Sequence, residues 1–393
     1  MEYVGGNRLT LLRNGEQYFP ALIAALDAAR VEVFLETYIF ANDETGSLVA
    51  DALARAAGRG VKVHVLLDGF GAHDFSPRFR NMLAGAGAQV LMFRPELSRW
   101  RLRRSRLRRM HRKLACIDAA LGFVGGINVI DDYDTPHQTP PRYDYAVRIE
   151  GPLAREVRTQ AARLWSRVAW AAFGRRLRGL DALMGTSRAQ APAQGAASGD
   201  GQRAALLVRD NLRHRNDIED AYLDLIARAR EEILIANAYF FPGRRFRQAL
   251  ATAAARGVRV VLLLQGRVEY VLLHYASRAL YGSLLDAGIE IHEYHRSFLH
   301  AKVAVFDARW ASVGSSNIDP FSLLLAREAN VFVDDRGFAT ELRTSLMEAM
   351  RSGAQPVPPQ SWKRQPLWLR VRIWIGYGLA RLLLSLTRAD KAH

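Results

Sequence analysis

Two similar α/β domains, related by a pseudo-twofold axis with the active site at their interface, are the fold this sequence predicts, and three observations predict it. The 393 residues exceed what one hydrophobic core usually organises. Short continuous apolar runs alternate with amphipathic helical patterns, as expected for strands buried on both faces of an α/β layered domain. That plan is then written twice along the chain.

The first matching pair is VEVFLETYIF at Val31 to Phe40 and EEILIANAYF at Glu231 to Phe240, offset by 200, each after a helix-like stretch. The second is RGVKVHVLLDG from Arg59 to Gly69 and RGVRVVLLLQG from Arg256 to Gly266, offset by 197, each after an Ala-rich helical pattern. Between the halves, Thr186 to Arg203 is rich in Ala, Gly, Ser, Gln and Pro without a usable period, which reads as a flexible linker. The expected domains are therefore 1–185 and 204–352, joined by 186–203 and followed by a basic tail, 353–393.

At 49% hydrophobic and 24% charged residues, the chain is too apolar to be a disordered polymer. A net charge of +16 favours polyanionic partners, either an anionic membrane or nucleic acid. The single Cys116 sits in the apolar run LACI and reads as a buried, inert thiol in a reducing cytoplasm. The polar, mixed N-terminus lacks the features of a signal peptide. No stretch reaches eighteen uncharged apolar residues, because Arg370, Arg372 and Arg381 interrupt Leu367 to Leu386, so a spanning helix is not expected.

The third pair carries chemistry: His111-x-Lys113-x4-Asp118-x6-Gly125-Gly126-x-Asn128 against His300-x-Lys302-x4-Asp307-x6-Gly314-Ser315-x-Asn317, offset by 189. Two copies with identical internal spacing are hard to obtain by chance. The period of two puts His and Lys on one face of an extended segment, with Arg112 or Ala301 opposite. Gly125, Gly126 and Gly314 allow close approach, while Ser315, Asn128 and Asn317 can donate hydrogen bonds, a constellation suited to a phosphate. If both strands meet at a pseudo-twofold interface, one imidazole can attack a phosphodiester while the other protonates the leaving alkoxide, with the ammonium groups neutralising the phosphoryl oxygens. Such a site needs no metal or other cofactor, and neither motif has metal-ligand spacing. Asp118 and Asp307 complete the catalytic motif by letter, but their odd separation from the lysines faces them away, which reads as a structural role.

These residues resemble the phospholipase D superfamily, whose hallmark is a doubled H-x-K-x4-D motif, and the resemblance spans nearly the whole chain. GGINVIDDYDTP, PRYDYAVRIEGPL and GSSNIDPFSLLLAREANV are most similar to bacterial cardiolipin synthases of the B type. The resemblance implies a phosphohistidine intermediate, with His111 as nucleophile and His300 as acid and then base. It also implies a carboxylate about thirty residues after each motif His and hydrogen-bonded to it, positions matched by Asp144 and Glu328. The implied reaction transfers a phosphatidyl group from one phosphatidylglycerol to another, giving cardiolipin and glycerol. A hydrolase or nuclease of the same superfamily is the alternative.

From Arg99 to Lys113 the chain carries eight Arg and one Lys with no acidic residue, expected to draw anionic headgroups toward the site. Two further segments, 161–184 and Trp362 to Arg388, mix Arg with Trp and aliphatics. On the second, Arg370, Arg381 and Arg388 share one helical face, whereas Trp368, Ile375, Leu379, Leu382 and Leu386 lie largely elsewhere, with Arg372 among the apolar residues. That pattern fits an interfacial membrane helix, or one docked on protein. The expected partners are anionic phospholipid, phosphatidylglycerol above all, and a membrane surface rather than nucleic acid. The expected location is peripheral, on the cytoplasmic face of a bacterial inner membrane.

Overall fold

The structure, a computed structural model, describes residues 1–95, 109–135, 139–173, 201–210, 214–268, 271–319, 326–363 and 366–388. The first half runs β1 (Val4–Arg13), α1 (Asn14–Ala28), β2 (Glu32–Thr37), α2 (Glu44–Gly58), β3 (Lys62–Asp68), α3 (Pro77–Gly85), β4 (Gln89–Phe93), β5 (Arg109–Met110), β6 (Lys113–Ile117), β7 (Leu121–Gly125), β8 (Tyr145–Glu150) and α4 (Pro152–Phe173). The second runs β9 (Gln202–Arg209), α5 (Asp217–Arg228), β10 (Glu232–Asn237), α6 (Arg244–Ala255), β11 (Arg259–Gln265), α7 (Val271–Arg278), α8 (Tyr281–Asp286), β12 (Glu290–Tyr294), β13 (Lys302–Phe306), β14 (Trp310–Gly314), β15 (Ala326–Asp334) and α9 (Arg336–Gly353). Then follow β16 (Ala354–Pro356), α10 (Pro359–Lys363) and α11 (Leu367–Arg388). Most of the Arg99–Lys113 cluster, most of the linker and the far end of 161–184 lie outside the described residues.

Each half forms the same mixed sheet. The order β1-β8-β7-β6-β2-β3-β4 in the first is repeated as β9-β15-β14-β13-β10-β11-β12 in the second, with β16 added at its edge. In both, the two strands of the first two sequence repeats and the strand that follows them pair in parallel, and the motif strands pair antiparallel. Antiparallel pairing of β1 with β9, Val4 opposite Ala204, fuses the two into one continuous sheet.

Local signals set the ends of the helices. Asp43 caps α2 by accepting from the Gly46 N–H at 2.7 Å, and Asp335 caps α9 through the Phe338 N–H at 2.8 Å. Gly60 and Gly257 both adopt φ +88° where helix turns into strand, a left-handed conformation that favours glycine. Apolar residues fill three layers: one under α1, α2 and α3, one under α5 and α6, and a central one that takes strands from both halves together with α4 and α9. The central layer fixes the two halves against each other, which holds the site's geometry. Cys116 lies in it, and burial pushes its thiol up to about 12, in keeping with an inert role.

The tail helix docks on protein along one face and leaves the other open. One face of α11 docks on protein: Ile373 is buried, Tyr377 meets Phe241 edge-on at 5.8 Å, and a Cβ on Gly376 would come within 2.8 Å of Tyr275 Cβ. The opposite side leaves Trp374 and Ile375 each 63% exposed, with Trp368, Val371, Leu379 and Leu382 also open. Arg372 lies 5.1 Å over the Trp368 ring and Arg381 5.8 Å over Tyr377. The side chains of Arg370, Leu386 and Arg388 lie outside the described residues. Among the described residues no helix is long and apolar enough to cross a membrane.

Candidate active site

The motif strands β6 and β13 begin at the interface between the halves, and short cross-interface bridges bring them together. β5 pairs in parallel with β15, Arg109 opposite Ala326 and Met110 opposite Arg327, and the His111 N–H donates to the Arg327 carbonyl at 2.9 Å. On the other side Tyr143 bridges Leu299, and the His300 N–H donates to the Tyr143 carbonyl at 2.8 Å. Each motif histidine is thereby fixed beside the residue that precedes the other half's carboxylate.

The carboxylates are consequently exchanged. His111 Nδ1 lies 3.0 and 3.1 Å from the Glu328 oxygens, and His300 Nδ1 lies 2.6 Å from Asp144 Oδ2. This corrects the expectation that each carboxylate serves the histidine of its own motif. The reason is the strand order. β6 and β8 are separated by β7, so Asp144 starts a strand two spacings, about 10 Å, from the His111 strand, too far for a hydrogen bond. Across the interface it needs only one. The imidazole side chains of His111 and His300 keep 17% and 12% of their surface exposed, whereas Glu328 and Asp144 are sealed. Nδ1 of each ring is thus committed inward and Nε2 is left for chemistry.

Lys113 and Lys302 are buried and each donates to the carbonyl of its own motif histidine, Lys113 at 2.8 Å. Lys302 also lies 3.8 Å from Asp144. Alternation sends Arg112 to the opposite face, where Glu36 holds it in a buried two-pronged pair at 2.8 and 2.6 Å. Tyr38 packs edge-on against His111 at 5.0 Å, with the Lys113 ammonium 5.4 Å over its ring.

Burial sets the electrostatics. It pushes Lys113 down to about 7, with Glu328 opposing and Lys302 adding to the shift. His300 is driven well below its ordinary value by burial and then by Lys302, Lys113 and Arg142. His111 is lowered by burial against the pull of Glu328. Burial raises Asp144 to about 6 even with Lys302 beside it. Glu328 experiences the same burial, but His111, Lys113 and the Ser315 hydroxyl together take it below the usual carboxylate range. At neutral pH the site therefore holds neutral imidazoles and an ionised Glu328.

Several sequence-predicted residues do other work. Asp118 accepts from the N–H groups of Arg30, Val31 and Glu32 at 2.8–2.9 Å, and Asp307 repeats this with Arg230, Glu231 and Glu232 at 2.8–3.0 Å. Both stabilise left-handed turns, at φ 53° and 50°, so their place in the catalytic set is corrected to a structural one. Ser315 donates to Glu328 at 2.5 Å and accepts from the Ala329 N–H, which makes it the carboxylate's support instead of a phosphate ligand. Gly126 is likewise displaced from that role, since a Cβ there would sit 2.4 Å from Asp144 Oδ1; its bareness makes room for the carboxylate. Asn128 is buried with its carbonyl on the Ile39 N–H at 3.1 Å, and the buried Asn317 Oδ1 has no partner among the described residues. Sequence reasoning passed over Arg142 and Phe298. Phe298 stacks on His300 at 5.8 Å, and its only sequence signal is its place two residues before the motif.

Residues 22–165 and 222–350 match the family described as cardiolipin synthase, PLD-like domain. The chain belongs to this family. Cardiolipin synthase B of Escherichia coli K12 is 39% identical over 99% of this chain and 91% of its own length. The major cardiolipin synthase ClsA of Bacillus subtilis is 29% identical over 96% of this chain and 76% of its own. The crystal structure of phosphatidylserine synthase from Haemophilus influenzae aligns with a TM-score of 0.66 over 99% of this chain and 95% of that one, a likeness of fold at 14% identity. The two matched segments fall one in each half of the continuous sheet and take in every strand of the halves except β1, β9 and the edge strand β16.

Proposed function

We propose that this protein is a cardiolipin synthase that moves a phosphatidyl group from one phosphatidylglycerol to the hydroxyl of another. The observation that carries the reading is the exchanged pairing: two imidazoles, each oriented by a buried carboxylate from the opposite half, around two buried lysines. His111 Nε2 attacks the donor phosphorus, the P–O bond to glycerol breaks, and His300 gives the leaving oxygen its proton. The acceptor hydroxyl then loses its proton to His300 and attacks the phosphohistidine, which frees His111 and completes cardiolipin. Beside burial, the charges that depress His300 are chiefly those of Lys302, Lys113 and Arg142. A phosphodiester anion offsets them on arrival and so prepares the acid. Glu328, ionised and braced by Ser315, suits the partner of a nucleophile whose ring becomes cationic when phosphorylated.

Asn128 and Asn317 are the remaining phosphate donors in this reading. The open face of α11, Trp and aliphatic residues flanked by Arg372 and Arg381, would lie in the headgroup boundary of an anionic bilayer and bring substrate to a peripheral enzyme. Purified protein incubated with phosphatidylglycerol vesicles in chelator, beside a DNA digest, tests the proposal. It predicts cardiolipin and glycerol in equal amounts; DNA cleavage without lipid products would contradict it.

A further inference from the structure

Joining two phosphatidylglycerols leaves two phosphates on one glycerol, while in the proposed reaction the two motif lysines serve only the phosphate that reacts. We infer that Arg142 holds the other phosphate, that of the acceptor lipid, and thereby favours an anionic lipid over water as the group that accepts the phosphatidyl unit. This rests on the cardiolipin synthase reading and on His300 serving the leaving and entering oxygens.

The placement is one-sided. Arg142 lies two residues before Asp144, and its guanidinium sits 5.2 Å over the Phe298 ring, which in turn stacks on His300 at 5.8 Å. The matching position two residues before Glu328 is Ala326, which brings no charge to the His111 side. The charge of Arg142 is felt at both His300 and Asp144. Six bonds separate the phosphorus atoms of the product, and three extended bonds span at most about 3.6 Å, so they lie roughly 7 Å apart. A guanidinium one aromatic ring away from the acid–base imidazole is within reach of an anion on that tether.

Its hydrogen bonding is also unfinished. The half-buried side chain donates from Nη2 to the Asp134 carbonyl at 3.3 Å, while Nε is buried without a hydrogen-bond partner among the described residues. Among those residues it makes no ion pair, whereas Arg112 and Arg158 are each clasped by a carboxylate. The nearby Asp132 accepts from the Gly15 N–H, and burial raises it to about 7, so it is a poor counter-ion. A fork of N–H donors with spare capacity, partly desolvated, is suited to a phosphate.

The test compares acceptors. Wild type, Arg142→Gln and Arg142→Lys are given phosphatidylglycerol in detergent micelles, and cardiolipin, phosphatidate and exchange of labelled glycerol into phosphatidylglycerol are measured together. In Arg142→Gln, cardiolipin formation should fall about tenfold more than glycerol exchange, the phosphatidate share should rise, and Arg142→Lys should recover part of the ratio. An unchanged ratio of cardiolipin to exchange overturns the inference, as does an equal loss on both acceptors in both variants, which would put Arg142 on the donor or in the fold. A wild-type enzyme that makes no cardiolipin removes the underlying reading as well, so the two failures are distinguishable.

Discussion

Asp144→Asn and Glu328→Gln should fail at different steps, because each carboxylate serves the histidine of the other half. Asp144 holds His300 at 2.6 Å, so its amide variant leaves the acid–base imidazole with the wrong partner and the wrong tautomer. On phosphatidylglycerol the expected loss in kcat is on the order of 10³ to 10⁴, the scale seen when a buried carboxylate behind a catalytic imidazole is neutralised. A phosphatidyl ester of p-nitrophenol needs no proton on its leaving group, so its first step should survive. Asp144→Asn should then give a burst of nitrophenol near one per enzyme, followed by slow turnover as the phosphohistidine waits for a base. Glu328→Gln, which disables His111, should show no burst. The loss should not come from unfolding. Asp144 is raised from 3.8 to about 6, so above pH 6 its ionised form opposes folding by about 3 kcal/mol at 1.36 kcal/mol per unit. Removing that charge offsets the lost hydrogen bond, and Tm at pH 7.5 should not fall. A burst in Glu328→Gln and none in Asp144→Asn would refute the exchanged pairing.

Three further outcomes follow from the same geometry. kcat/KM should be a narrow bell in pH, rising as Asp144 ionises near 6 and falling as Lys113 loses its proton near 7, while kcat stays high further into alkali because bound phosphate holds the proton on Lys113; a flat profile from pH 6 to 9 counts against it. Asp118→Asn should lower stability by about 2 kcal/mol in denaturant melts with folded-state turnover within a few-fold of normal, because it frees backbone N–H groups far from the chemistry. Trp374→Glu with Ile375→Glu should weaken binding to phosphatidylglycerol vesicles in flotation assays without changing turnover on a dispersed short-chain substrate; equal loss in both would make α11 part of the fold alone.

The doubled plan was legible because each half must solve the same burial problem, and the same hydrophobic periods recur at Val31 and Glu231 and at Arg59 and Arg256. The strand alternation that faces Lys113 with His111 and turns Arg112 away is a local rule, so it too could be read directly. The odd spacing of Asp118 and Asp307 pointed to a structural role, and the left-handed turns they stabilise are what that role is. What could not be read was the exchange of Asp144 and Glu328, since it depends on which strands lie between β6 and β8 and on two bridges across the interface, neither of which leaves a mark in local pattern. Ser315 and Gly126 were misassigned for a related reason: their neighbours are the carboxylates, brought beside them by the sheet. The α11 helix divides its surface between Tyr275 and solvent, a choice that amphipathicity alone does not make.

The central claim is a single site in which His111 becomes covalently phosphorylated while His300 moves the proton. The most direct measurement is to quench His300→Ala protein after incubation with phosphatidylglycerol labelled in its phosphate, and to map the labelled peptide by mass spectrometry. The account predicts label on His111 in that protein and none on His300 in His111→Ala. Label confined to His300 in His111→Ala would reverse the roles, and His300→Ala turning over at the normal rate would contradict a shared site altogether.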